Sequence, residues 1–98
     1  MVKTYELTVL FSPENTSDAL QKLQEKVAQV ITAAGGKISK TDVWGRKLIA
    51  YKIQKHDEAV YVVFSFTLDA AKAQEVERSI QLMEGVMRHL FVIADEEK

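Results

Sequence analysis

The chain has 98 residues, 47% of them hydrophobic and 28% charged, with a net charge of −1 and no cysteine. That length holds one hydrophobic core, and the missing thiols exclude disulfides, thiolate nucleophiles and cysteine-ligated metals. No apolar run approaches the ~20 residues of a membrane span, and the N-terminus has no signal-peptide stretch, so a soluble cytoplasmic protein is expected.

Tyr5, Leu7, Val9 and Phe11 alternate with Glu6, Thr8 and Leu10, the two-residue period of a half-buried strand. Ser12-Pro13-Glu14-Asn15 ends it, because proline donates no ladder hydrogen bond. Thr16 or Ser17 offers a helix N-cap, and Asp18 is well placed against the helix dipole. Leu20, Leu23, Val27, Val30, Ile31 and Ala34 then form one apolar stripe at helical spacing. Gly35-Gly36 stops the helix, since glycine takes a left-handed cap without penalty.

A long strand from Lys37 to Ile53 follows, broken near Trp44-Gly45, where a glycine inside a strand marks a bulge. Simple alternation puts Ile38, Lys40, Asp42 and Trp44 on one face before the break, and Ile49, Tyr51 and Ile53 on one face after it. Residues 54–58 read as a polar turn containing His56. The stretch from Ala59 to Leu68 carries Val60, Val62, Phe64 and Phe66 on one face and Tyr61, Val63, Ser65 and Thr67 on the other. Its apolar density predicts a central strand. Asp69 caps a second helix that buries Ala73, Val76, Ile80 and Met83, and a last strand runs from about Val86 to Ile93. Residues 1–94 are expected to be a single domain and residues 95–98 a short, disordered acidic tail.

The order β-α-β-β-α-β, with right-handed crossovers and short connections, predicts a ferredoxin-like α+β sandwich. Four antiparallel strands in the order 4-1-3-2 would carry both helices on one face. The Lys37–Ile53 strand would then lie at an edge, and the other sheet face would be uncovered. The stretch between Lys37 and Lys55 holds Lys37, Lys40, Arg46, Lys47, Lys52 and Lys55 against the single acid Asp42. Such a patch is either a footprint for an acidic partner or a solvated edge whose lysines discourage aggregation.

The fold decides no function by itself. His56 and His89 lack metal-ligand spacing and read as surface or strand histidines. Glu75 and Glu77 share a helix with Arg78, the ordinary pattern of a solvated face. No glycine-rich phosphate cradle exists, and the Ser12–Thr16 loop lacks the glycine and arginine of an acylphosphatase-like anion loop. An RNA recognition motif stacks bases on strand aromatics behind a basic-Gly-aromatic signature. The third strand lacks that signature, and Tyr61 alone is a weak platform. No enzyme, cofactor or metal is expected, which leaves a binding module.

The segment Asp42-Val43-Trp44-Gly45-Arg46-Lys47-Leu48-Ile49-Ala50-Tyr51-Lys52-Ile53 resembles the signature of the bacterial small-subunit ribosomal protein six family. Tyr5-Glu6, the spacing of the two helices, Val86-x-Arg88 and the total length agree with it. Leu48, Ile49, Lys52 and Met87 depart from the usual residues but keep the strand pattern. The resemblance implies a ferredoxin-like, non-enzymatic ribosomal component. It also implies a heterodimer with ribosomal protein eighteen that binds the central domain of small-subunit (16S) rRNA. The competing expectation is a ferredoxin-like regulatory or protein-interaction module that uses its open sheet. Candidate rRNA contacts are Lys3, Arg46, Lys47 and Arg88, with Lys3 and Arg88 expected on paired central strands. Candidate partner contacts are Trp44 and Tyr51, large aromatics of the kind that anchor interfaces; a bulge-covering Trp44 and an edge-closing Tyr51 are the plain alternatives.

Overall fold

Alternation along the first strand becomes burial in the fold. Strand β1 (Val2–Phe11) turns Tyr5, Leu7, Val9 and Phe11 into the core, and β3 (His56–Asp69) turns in Val60, Val62, Phe64, Phe66 and Leu68. These belong to a computed structural model that describes residues 1–53 and 56–94, and of residues 50–53 and 56 the backbone alone. The acidic tail, together with Gln54 and Lys55 of the expected turn, lies outside the described residues.

The remaining elements are α1 (Ser17–Ala33), β2 (Lys37–Ile53), a 3-10 turn over Ala70–Lys72, α2 (Ala73–Gln81) and β4 (Val86–Ile93). The sheet order is β2-β3-β1-β4 with all pairs antiparallel, which is the 4-1-3-2 ferredoxin-like arrangement read from the other end. Thr16 caps α1 by accepting from the Ala19 amide at 3.1 Å. Gly35, at φ +91°, reverses the chain after it. Leu23, Val27 and Ile31 of α1 and Val76 and Ile80 of α2 pack on the inward side of β1 and β3. Both helices therefore cover one face, and the other is left to solvent or partners.

Asp69 does not begin α2 directly. It caps the 3-10 turn by accepting from the Ala71 amide at 3.0 Å, and also holds the N-terminal ammonium at 3.2 Å. The Ala71 hydrogen bond, then the hydrogen bond and charge of the ammonium, hold its carboxyl below the usual value of 3.8, with a smaller contribution from Lys72.

Three expectations need correcting. Strand β3 starts at His56 rather than near Ala59, and Leu48 pairs with Glu58, so the β2–β3 hairpin runs on past Phe11 and Val60, where β1 stops pairing. The polar residues Asp57 and Glu58 belong to a ladder exposed to water, which is why they read as a turn. Ile38 and Lys40 do not share a face: a register shift at Ser39 sets Ile38 opposite Phe66, on the core side, and Lys40 opposite Ser65, on the open side. Strand β4 is an edge strand, not a central one.

Candidate nucleic-acid interface

Ladder pairing places one residue from each strand in a row across the open face. Arg88 of β4 lies opposite Leu10 of β1, Leu10 opposite Tyr61 of β3, and Tyr61 opposite Gly45 of β2. Three strand spacings make this row roughly 14 Å long. Leu10 is only 8% exposed, although no helix covers it.

The β2 end of the row is built by the bulge expected at Trp44-Gly45. The register shifts between Val43 and Gly45, so Trp44 and Gly45 together oppose one residue of β3. Gly45 has φ +82°, which favours glycine, and it brings no side chain to the row. The Trp44 indole lies 12° from parallel with the Tyr61 ring at a centroid distance of 6.1 Å. The Lys47 ammonium lies 5.9 Å from the Trp44 ring centroid. Trp44 nevertheless stays 54% exposed. The expected bulge is real, but it presents the indole instead of hiding it.

Farther along the same face, Lys40 pairs with Asp42 at 3.4 Å, so the sole acid of the basic stretch is already neutralised by a neighbour. Lys47 and Arg88 make no ion pair among the described residues. Leu90 and Val92, beyond Arg88 on β4, are 60% and 40% exposed and add apolar area to the outer edge. Periodicity alone did not single them out, since inward and outward apolar residues alternate without contrast in β4.

The four cations named from sequence do not converge. Lys47 and Arg88 share the open face. Arg46 follows the opposite alternation: it lies opposite Val60 on the helix side, donates to the Pro13 carbonyl at 3.1 Å and pairs with Glu58 at 3.2 Å. Its guanidinium ties the hairpin to the loop after β1. Lys3 lies opposite Leu68, at the far end of β1 from Leu10 and on the helix-side alternation, so it does not approach Arg88. Tyr51 is in β2, and its side chain lies outside the described ones. His89 is inward, 3.1 Å from the Glu77 carboxylate of α2, and joins β4 to that helix. Among the described residues no group of His, Asp or Glu could hold a metal ion.

The family model described as Ribosomal protein S6 matches residues 4–93, nearly the whole chain. The chain belongs to the ribosomal protein S6 family. Small ribosomal subunit protein bS6 of Micrococcus luteus is 39% identical over 97 residues, covering 99% of this chain and 96% of its own length. The bS6 protein of Moorella thermoacetica is 34% identical over 96 residues, 98% of each. The crystal structure of 30S ribosomal protein S6 from Thermotoga maritima matches with a TM-score of 0.91 at 26% identity, over 96% of this chain and 89% of that one. The family expected from the Trp44–Ile53 motif is thus the right one. As an S6 protein the chain is a component of the small subunit of the cytoplasmic ribosome. No described helix is long and apolar enough to cross a membrane.

Proposed function

We propose that this S6 protein serves as a structural component that binds the central domain of 16S rRNA jointly with ribosomal protein eighteen. The observation that carries the reading is the uncovered sheet face, where Arg88 stands outward at one end of the row and Lys47 stands outward on β2, two residues past Gly45 at the other end. Neutralising phosphates supplies much of RNA affinity. Two outward cations on a chain of net charge −1 give a weak site by themselves. A basic partner sharing the RNA surface makes up the deficit. Leu90 and Val92 offer that partner apolar contact on the same face, on the strand that carries Arg88.

Lys47 and Arg88 are the phosphate contacts of this proposal. Arg46 keeps the hairpin in place, and Lys3 is remote from the row. The test is binding to a central-domain 16S rRNA fragment across a salt series, with and without ribosomal protein eighteen. Tight binding is expected only with the partner present. Binding that is absent in both conditions sinks the reading and favours a protein-interaction role for the open sheet.

A further inference from the structure

We propose that Trp44 and Tyr61 form a stacking platform for one unpaired base of RNA, with Lys47 beside it for the adjoining phosphate. The inference rests on the RNA-binding reading and names the kind of nucleotide contact made there.

The argument begins with two sets of aromatic rings. In the core, Tyr5, Phe66 and Phe91 meet tilted or edge-on, at interplanar angles of 30°, 64° and 83°. Such geometry fills space and leaves no free ring face. On the open side, Trp44 and Tyr61 lie only 12° from parallel, and the indole is more than half exposed. A near-parallel pair whose indole is exposed offers an aromatic ring surface to solvent, backed by the partly buried Tyr61. Unstacked bases in RNA loops and bulges are held on surfaces of that kind.

The pair exists because of local backbone chemistry. Two residues of β2 oppose one of β3, and the one without a side chain is Gly45. Its φ of +82° is a backbone conformation that other residues take only with strain, so glycine holds the bulge that sets Trp44 against Tyr61. Lys47, two residues on, lies opposite Ala59, which is small and buried, and its ammonium is near the indole. That ammonium lies over the indole ring, so a base settling on the ring displaces it, and its flexible stem lets it swing to the adjoining phosphate.

The same surroundings favour RNA over a protein. Interface cores shed charge, yet this platform has Lys47 at one side, the Lys40–Asp42 pair at another, and Arg88 across the row. On the open face the exposed aliphatic residues are Val2 of β1 and Leu90 and Val92 of β4, whereas the exposed Val43 and Leu48 of β2 follow the opposite alternation from Lys47. The sheet face divides into an aromatic, cationic part and an apolar part.

Trp44 is the only tryptophan in the chain, so its emission reports directly on the platform. The experiment titrates the full chain with the central-domain 16S rRNA fragment, with and without ribosomal protein eighteen. Bound RNA and indole emission are read in parallel, with Trp44→Phe as the background for any partner signal. Binding should quench Trp44. Trp44→Leu should lose roughly tenfold in affinity, about what one base–aromatic stack contributes, while Trp44→Phe keeps most of it and both melt as the parent does. Binding without quenching, and with the affinity of Trp44→Leu unchanged, overturns the platform while leaving the RNA-binding reading intact. Loss of partner association in Trp44→Leu, without quenching by RNA, makes Trp44 a protein contact and also overturns it. No RNA binding at all overturns both. Should Trp44→Leu fail to fold, quenching of the parent chain decides.

Discussion

The two faces of this sheet are built from the same four strands and follow opposite rules. On the helix side, Leu7, Val9, Phe11, Phe64 and Phe66 are fully or almost fully buried, and each contacts a core shared with both helices. On the open side, burial is confined to places such as Leu10, and the large exposed groups include Val2, Trp44, Leu90 and Val92. One face spends its side chains on stability, and the other keeps them available. Substitutions on the two faces should therefore separate folding from binding.

The largest effect is expected from Phe64→Ala. This ring lies on the central strand at 1% exposure, and deleting it should cost about 3–5 kcal/mol. For a domain of this size that lowers the melting temperature by something of the order of 20 °C. RNA affinity per folded molecule should be unchanged, which a titration corrected for folded fraction would check. Leu10→Ala tests whether the open face also carries stability. Its burial predicts a loss of about 2 kcal/mol in a denaturant melt, and a loss below half a kcal/mol would mean that the open face carries no stability of its own. The two variants together measure how unequal the faces are.

Periodicity made the inner face legible and the outer one only partly so. In β1 and β3 every second residue is apolar and the register is regular, so face assignments from sequence hold. In β2 they fail at Ser39, because one extra residue in a bulge moves every later side chain to the other face. The Trp44-Gly45 pair announced the second bulge, yet nothing in the spacing told whether the indole would cover the core edge or lie on Tyr61. That depends on how β2 and β3 register, a contact between residues 17 apart (61 − 44). Likewise, a run of cations reads as one patch in sequence, whereas strand alternation divides Arg46 from Lys47.

That division gives a sharper comparison between two neighbours. Lys47→Gln should weaken RNA binding severalfold, lower the salt slope by about one and leave the melt unchanged. Arg46→Gln removes the pair with Glu58 and the bond to the Pro13 carbonyl. It should cost up to about 1 kcal/mol, as exposed ion pairs do, and leave the salt slope alone. Equal slopes for both variants would mean that the two faces of the hairpin contribute alike, and the assignment of function to one face would fail.

The smallest effect is expected at the far end of β3, away from both faces. Asp69 accepts from the Ala71 amide and from the N-terminal ammonium, and these hold its carboxyl below 3.8. A group ionised more readily in the folded state than in the unfolded one adds stability that is fully present above the unfolded value. That stability is lost as the pH falls through the folded value. Asp69→Asn should therefore melt slightly below the parent at neutral pH. The gap should close in acid below the usual carboxylate range, where the parent's carboxyl is protonated too. A gap of the same size at both ends of the titration would show that the cap works through its shape and hydrogen bonds, with no part played by its charge. Because this end of the strand lies remote from Lys47 and Arg88, RNA affinity should not follow the melt at any pH where the protein stays folded.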